Sequence, residues 1–442
     1  MSDTSKPGRH RAVPSSRVSR LTGFGRLATG LAGGMMAEGA RRLASGELPK
    51  LEDMILTPGN AMRLADRLSH LRGAAMKLGQ MISMDAGDLL PPELANILAS
   101  LRDKANFMPP RQLQQMLKAE WGNDWRKKFA EFQARPIAAA SIGQVHKAVT
   151  HDGRTLAIKV QYPGIRESID ADVDNVATLL RMSNMIPDQL DLFPLLEAAK
   201  AQLHEEADYQ REGAQMQRYA QLLEDEKGFI VPTLDIEFTG DRVIAMSFEP
   251  GVPIESLETA DQDKRNDVAE RVIRLVMREL FEFGVMQTDP NFANFRYQPE
   301  TDSIVLLDFG ATRDVSDAIQ NSYRTLLIAA LNDDRDGVMA ASVEAGFVNP
   351  AALERHRDVM EHMTDIILNE FDNDGPFDFG DRAFVSVLRD EGMRIAADRE
   401  AWHVPPAETL FVQRKVSGTA MLSARLKAKV PVRGILEQAL KS

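Results

Sequence analysis

A loop carrying an aspartate and an asparagine five positions apart lies between two apolar segments, and the second segment ends in Asp-Phe-Gly. The residues are Val285-Met-Gln-Thr-Asp289-Pro-Asn-Phe-Ala-Asn294 and Val305-Leu-Leu-Asp308-Phe-Gly310. No other feature of the 442 residues constrains the fold as tightly. That spacing puts a proton acceptor and a metal-holding amide on one short loop, with a carboxylate at the end of the next strand to share the metal. Asp-Phe-Gly alone recurs by chance. The ordered pair is far more specific, and Leu156-Ala-Ile-Lys159-Val160 precedes it in the order used by phosphoryl-transfer folds. The three segments together predict an α+β, bilobal protein-kinase-like fold.

Each segment implies chemistry. Lys159 sits mid-strand among apolar residues, and a buried ammonium is costly unless phosphate oxygens or a carboxylate face it. Glu206, in Glu205-Glu206-Ala-Asp208, is the candidate partner and Glu205 the competing choice; a solvated helix face is the plainer reading of these acids. Asp289 would orient or deprotonate a nucleophile. Asn294 and Asp308 would hold Mg²⁺, a hard cation that takes oxygen ligands and substrate phosphates; capping a turn is the alternative for Asn294. Ala138-Ala139-Ala140-Ser141 stands where a protein kinase has a glycine-rich phosphate loop. Alanine is barred from conformations that glycine allows, so a stiffer loop is expected, with a bland turn as its alternative. Phe248 ends the strand that enters the Pro250-Gly251 turn, a natural lobe hinge, and is a candidate nucleotide contact.

The periodicity divides the chain into four parts. Residues 1–50 form a basic, partly disordered and amphipathic segment, with Leu21, Phe24, Leu27, Leu31 and Met35 at helical spacing over 17–43. Residues 51–128 read as a helical extension. Its cleanest helix, over 61–84, carries Leu64, Leu68, Leu71, Ala75, Leu78 and Ile82 as one seam, with Lys77 and Gln80 on a neighbouring face. Pro109-Pro110 starts a further helix through about Glu120. Residues 129–249 read as a kinase-like N-lobe: a hairpin around Asp152-Gly153, helices over 170–184 and 195–223, and strands over 230–237 and 242–248. Residues 250–442 read as a helical C-lobe, with a long helix stopped near Gly284.

Charge and composition narrow the setting. Nine Lys/Arg against three acids in residues 1–50 leave the rest of the chain at −18, although the whole carries only −12. A basic arm on an acidic body argues against general nucleic-acid binding and for a local anionic partner. Two occupants compete for the amphipathic segment: an anionic membrane surface, or the protein body or a second copy in a homodimer. The apolar run over 21–36 is too short and too polar to span a bilayer. With no cysteine there is no disulfide, thiolate nucleophile or cysteine-based zinc site, which suits a reducing compartment.

Taken with Lys77-Leu-Gly-Gln80 and Glu206-Ala-Asp208, these motifs resemble the UbiB/ADCK family of atypical kinase-like proteins over roughly residues 15–420. Gln287-Thr-Asp-Pro-Asn-Phe-Ala-Asn294 and the opening Val13-Pro-Ser-Ser-Arg-Val-Ser-Arg-Leu21 are similar to its mitochondrial coenzyme Q branch. The resemblance implies a kinase fold with an added N-terminal helical layer, in which Lys77, Gln80 and Asp208 regulate the site. It also implies bound ATP and Mg, ATPase activity, and support of ubiquinone biosynthesis at a membrane. The expected partners are isoprenoid quinone precursors and the ubiquinone biosynthesis complex, and the expected place is cytoplasmic, peripheral on the inner membrane. Bacterial relatives often end in transmembrane helices, whereas this sequence closes at Lys441-Ser442 without one. A protein or small-molecule kinase and a non-catalytic, nucleotide-gated lipid-binding scaffold are the rivals. Against the first, the stripe of Tyr323, Leu326, Leu327, Ala330 and Leu331 resumes soon after Gly310, and no Ala-Pro-Glu follows.

Overall fold

The computed structural model describes residues 107–182, 193–371, 375–381, 383–396, 398 and 405–441. The amphipathic segment over 17–43, the seam helix with Lys77 and Gln80, and the helix expected after Pro91-Pro92 lie outside the described residues. The chain divides into two compact units, Met1–Ala214 with Thr233–Phe248, and Gln215–Pro232 with Glu249–Ser442.

In the first unit, α1 (Pro110–Trp121) starts on the second of the paired prolines, where a missing N–H costs nothing. It buries Leu113, Met116 and Leu117. The sheet contains β1 (Phe129–Phe132), β2 (Ala138–Ala139), β3 (Gly143–Thr150), β4 (Thr155–Gln161) and, after the helices, a strand over Val243–Ser247. Helices α2 (Ile169–Met182) and α3 (Phe193–Glu206) follow β4, and α4 (Tyr209–Leu222) crosses into the second unit. Next come β5 (Phe229–Ile230) and β6, the strand over Val243–Ser247. The sheet order is β1-β3-β4-β6, with β2 paired to β3.

Strand β4 is therefore central, and Lys159 lies opposite Val145 on one side and Ile244 on the other. Ile158 and Val160 turn to one face and Lys159 and Gln161 to the other, because side chains alternate along a strand. All four are buried. Residues 231–237 depart from the strand expected there. Pro232 has no N–H for a ladder, and the segment keeps only an isolated bridge between Leu234 and Met246.

The second unit adds β7 (Val252–Pro253), α5 (Gln262–Arg278), β8 (Val285–Gln287), β9 (Phe295–Gln298), β10 (Ser303–Leu306) and β11 (Thr312–Asp314). Asp261 caps α5 by accepting from the Lys264 amide at 2.8 Å. Val268, Val272, Leu275 and Val276 give α5 its buried face. A single π-turn, Glu279–Phe283, ends the helix, and Gly284 closes it at φ 60°, a left-handed conformation that glycine adopts at no steric cost. One sheet runs β5-β10-β9-β7, and β8 pairs with β11. Residues 215–232 belong to this unit because β5 pairs with β10 and the Tyr219 hydroxyl donates to Glu279. Helices complete the unit: α6 (Asp317–Leu331), α7 (Arg335–Glu344), α8 (Pro350–Arg355), α9 (Arg357–Phe371), α10 (Ala383–Ala396), α11 (Ala407–Leu426) and α12 (Val432–Ala439), with a short β12 (Phe377–Asp378) pairing β13 (Lys429–Val430).

Candidate active site

In the first unit, the face of β4 that carries Lys159 and Gln161 meets the corner between α3 and α4. Gln161 Nε2 donates to the Ala207 carbonyl at 2.7 Å. Lys159 Nζ donates to both carboxylate oxygens of Glu212, at 2.8 and 3.0 Å, and lies 5.2 Å from the Tyr209 ring centroid. A carboxylate gripping Lys159 is thus Glu212, which the choice between Glu206 and Glu205 passed over. The reason is a break in the helix that periodicity read as continuous over 195–223. α3 stops at Glu206, and Asp208 starts α4 by accepting from the Arg211 amide at 3.1 Å, as an N-cap does. Glu212 then sits in the first turn of the new helix. Glu206 accepts from Ser141 Oγ at 2.7 Å, tying α3 to the alanine-rich segment.

That segment is partly a strand. Ala138 and Ala139 are exposed and pair with Val145 and Gln144, and the Ala140 amide donates to the Gly143 carbonyl at 2.9 Å. No residue from Ala138 to Ser141 has a positive φ, in keeping with what alanine allows. Phe248 is held by its amide, which donates to the Thr155 carbonyl at 2.9 Å, and Lys147 Nζ lies 4.3 Å from its ring centroid.

In the second unit, the loops after β8 and β10 are tied to each other. The Leu307 amide donates to the Asn294 carbonyl at 3.0 Å, and the Thr288 hydroxyl donates to the Ala311 carbonyl at 2.7 Å. Within the first loop Asn294 Nδ2 donates to the Asp289 carbonyl at 3.4 Å, and Asp289 Oδ1 accepts from the Asn291 amide at 3.3 Å. In the second, Asp308 Oδ1 accepts from the Gly310 amide at 3.0 Å. Asn294 and Asp308 line one small cavity of about 10 Å³, together with Glu279, Gln287 and Lys415. Two oxygen-bearing side chains suit a hard cation that keeps most of its shell for water and phosphate. Among the described residues no group of three or more His, Cys, Asp or Glu converges as a self-sufficient metal cage.

The cavity also holds Glu279 and Lys415, which the motifs did not reveal, beside Gln287, the first residue of the Gln-Thr-Asp motif. Glu279, Gln287 and Lys415 are buried, and burial raises the Glu279 carboxyl above its ordinary range while the Lys415 ammonium and the Tyr219 hydroxyl pull it down. Nothing in the sequence marks Lys415, which stands beside Arg414 on a helix whose charged residues resemble a solvated face. Glu212 did leave a signal: an aspartate at 208 followed by an acid one turn on, Glu212, is a helix-start pattern.

Residues 100–342, more than half of the chain, match the ABC1 atypical kinase-like domain. The chain belongs to the ABC1 atypical kinase-like family. Over 431 residues it is 38% identical to the mitochondrial atypical kinase COQ8B of Rattus norvegicus, covering 97% of this chain and 81% of that one. Over 424 residues it is 38% identical to the mitochondrial atypical kinase COQ8 of Saccharomyces cerevisiae, covering 95% and 84%. A Mycobacterium tuberculosis protein, Rv3197, solved with erythromycin, shares the fold at a TM-score of 0.59 and 24% identity, covering 86% of this chain and 95% of that one. The α+β kinase-like fold expected from motif order is therefore the fold of this ABC1 protein, and the UbiB/ADCK resemblance holds. The chain is an atypical kinase, built to bind ATP. Among the described residues no helix is long and apolar enough to cross a membrane.

Proposed function

We propose that this ABC1 protein binds Mg-ATP and hydrolyses it in support of ubiquinone biosynthesis, working peripherally at a membrane surface. One observation carries the reading: the Asn294 amide and the Asp308 carboxylate line the same small cavity, on two loops tied by the Leu307–Asn294 hydrogen bond. Lys159, fixed by Glu212, would neutralise phosphate charge, and Asp289 would orient the attacking hydroxyl or water. Asn294 and Asp308 would hold Mg²⁺, which when bound neutralises phosphate oxygens. Most of the rate enhancement then comes from positioning.

A protein kinase is the weaker reading. Helix α6 begins at Asp317, seven residues after Gly310, which leaves little chain for an activation segment and peptide platform. Isoprenoid quinone precursors and an anionic membrane surface are the partners this reading favours, with the ubiquinone biosynthesis complex and a second copy as further ones. The cytoplasmic side of the inner membrane is the place it favours. The basic excess in residues 1–50 supports the membrane part.

ATP hydrolysis by the full chain, with and without anionic liposomes and beside a protein-phosphorylation assay, tests this function. Hydrolysis stimulated by liposomes, and a fall in ubiquinone in cells lacking the protein, are expected. Peptide phosphorylation without ATPase activity, or unchanged ubiquinone, would overturn it.

A further inference from the structure

The cavity beside Asn294 and Asp308 is closed on one side by a buried ion pair for which the chemistry above has no use. Lys415, on α11, and Glu279, on the π-turn after α5, lie 3.3 Å apart from Nζ to Oε2 with side chains 2% and 1% exposed. The Tyr219 hydroxyl donates to the other oxygen of Glu279 at 2.8 Å. Both partners also reach Gln287: its backbone amide donates to Glu279 Oε1 at 3.4 Å, and its side-chain carbonyl accepts from Lys415 Nζ at 3.4 Å.

Gln287 is the last residue of β8 and stands two positions before Asp289. Its Nε2 is buried and makes no hydrogen bond within the protein, so an acceptor oxygen entering the cavity would find a donor there. One turn along α11, Gly418 meets the same loop. A Cβ at that position would lie 2.0 Å from Pro290 Cβ, and only a glycine lets the helix approach the residue that follows Asp289 so closely. Helix α11 thus holds the catalytic strand and loop at two points, one on each side of Asp289.

Stability is a poor reason for such a pair. Desolvating two charges offsets most of their attraction, and apolar replacement of a buried pair is often neutral or stabilising. What the pair supplies is direction, through hydrogen bonds that fix both the backbone and the side chain of Gln287.

We infer that Lys415 is a further positioning residue for phosphoryl transfer: held by Glu279, it fixes Gln287 and the strand end that presents Asp289 and Asn294. The inference rests on the ATP-turnover reading above.

The test is steady-state ATP hydrolysis by the full chain as wild type, Lys415→Met, and the double variant Lys415→Met/Glu279→Gln. The double variant removes both charges and keeps an acceptor for Tyr219, so it avoids stranding a buried carboxylate. Thermal unfolding is recorded for each. A folded double variant should lose about tenfold or more in kcat, since small displacements of reacting groups carry large rate costs. Its KM for ATP should stay within about threefold of wild type, because binding is not what the pair serves. A folded variant with wild-type kcat would overturn the inference, as would a loss confined to KM or the failure of both variants to fold. A wild-type chain that hydrolyses no ATP would overturn the functional reading itself, a result distinct from any of these.

Discussion

Lys159 and Glu212 form a two-point ion pair, 2.8 and 3.0 Å from Nζ to the carboxylate oxygens, that joins the central strand β4 to the first turn of α4. Their side chains are 10% and 1% exposed. Removing one charge takes a buried partner from the other, so Glu212→Gln should lower the unfolding free energy by about 3 kcal/mol and weaken ATP binding. Urea unfolding and calorimetry check both effects. Asp124→Asn, which breaks a fully exposed pair with Lys127, should change neither.

Asp289 lies on a loop fixed by its own backbone, with its carbonyl accepting from Asn294 and its neighbours tied to β11. Asp289→Asn should keep the wild-type melting temperature and nucleotide affinity while losing roughly a hundredfold or more in ATP hydrolysis, the scale of a missing general base. A variant that hydrolyses ATP at the wild-type rate removes Asp289 from that role.

Gly418 offers a steric test of the same loop. Alanine is the better helix former, so Gly418→Ala would be a benign change on an open helix face. Here its Cβ would run into the Pro290 ring and push α11 and the loop apart. Turnover should fall by about tenfold while ATP affinity holds. Wild-type kinetics in this variant would show that the loop yields freely.

His146 links pH to the stability of the first unit. Burial pushes its pKa down to about 4, against the pull of its hydrogen bond to the Gln133 carbonyl. Gln144 Nε2 and the Gln133 carbonyl satisfy its two ring nitrogens in the neutral form, at 2.8 Å each. The unfolded chain takes up the proton near pH 6.5, well before the folded one does. The stabilisation is therefore complete above pH 6.5 and is lost as pH falls toward 4, by on the order of 2–3 kcal/mol. Unfolding measured from pH 7.5 to 4 should show that slope in wild type and not in His146→Gln.

Local spacing made the Asp289–Asn294 loop, Asp308-Phe-Gly310 and the β3–β4 hairpin legible, because each is decided by residues close in sequence. The helix stop at Gly284 and the start of α1 behind Pro109 were legible for the same reason. Glu212 was hidden by a helix break only two residues long, which apolar periodicity passes over. Lys415 was illegible altogether. It reaches Gln287 across 128 positions, and a buried lysine looks like an exposed one until the fold is known.

The direct test of Mg-ATP binding is calorimetric titration of ATP into wild type and Asp308→Asn, with and without Mg²⁺. The Asp308 carboxylate and the Asn294 amide line one cavity, and a carboxylate is the stronger ligand for a hard cation. Asp308→Asn should bind ATP at least about tenfold more weakly in the presence of Mg²⁺ and lose most of the metal dependence seen in wild type. Equal Mg-dependent affinity in the two proteins would contradict the assignment of this site to Mg-ATP.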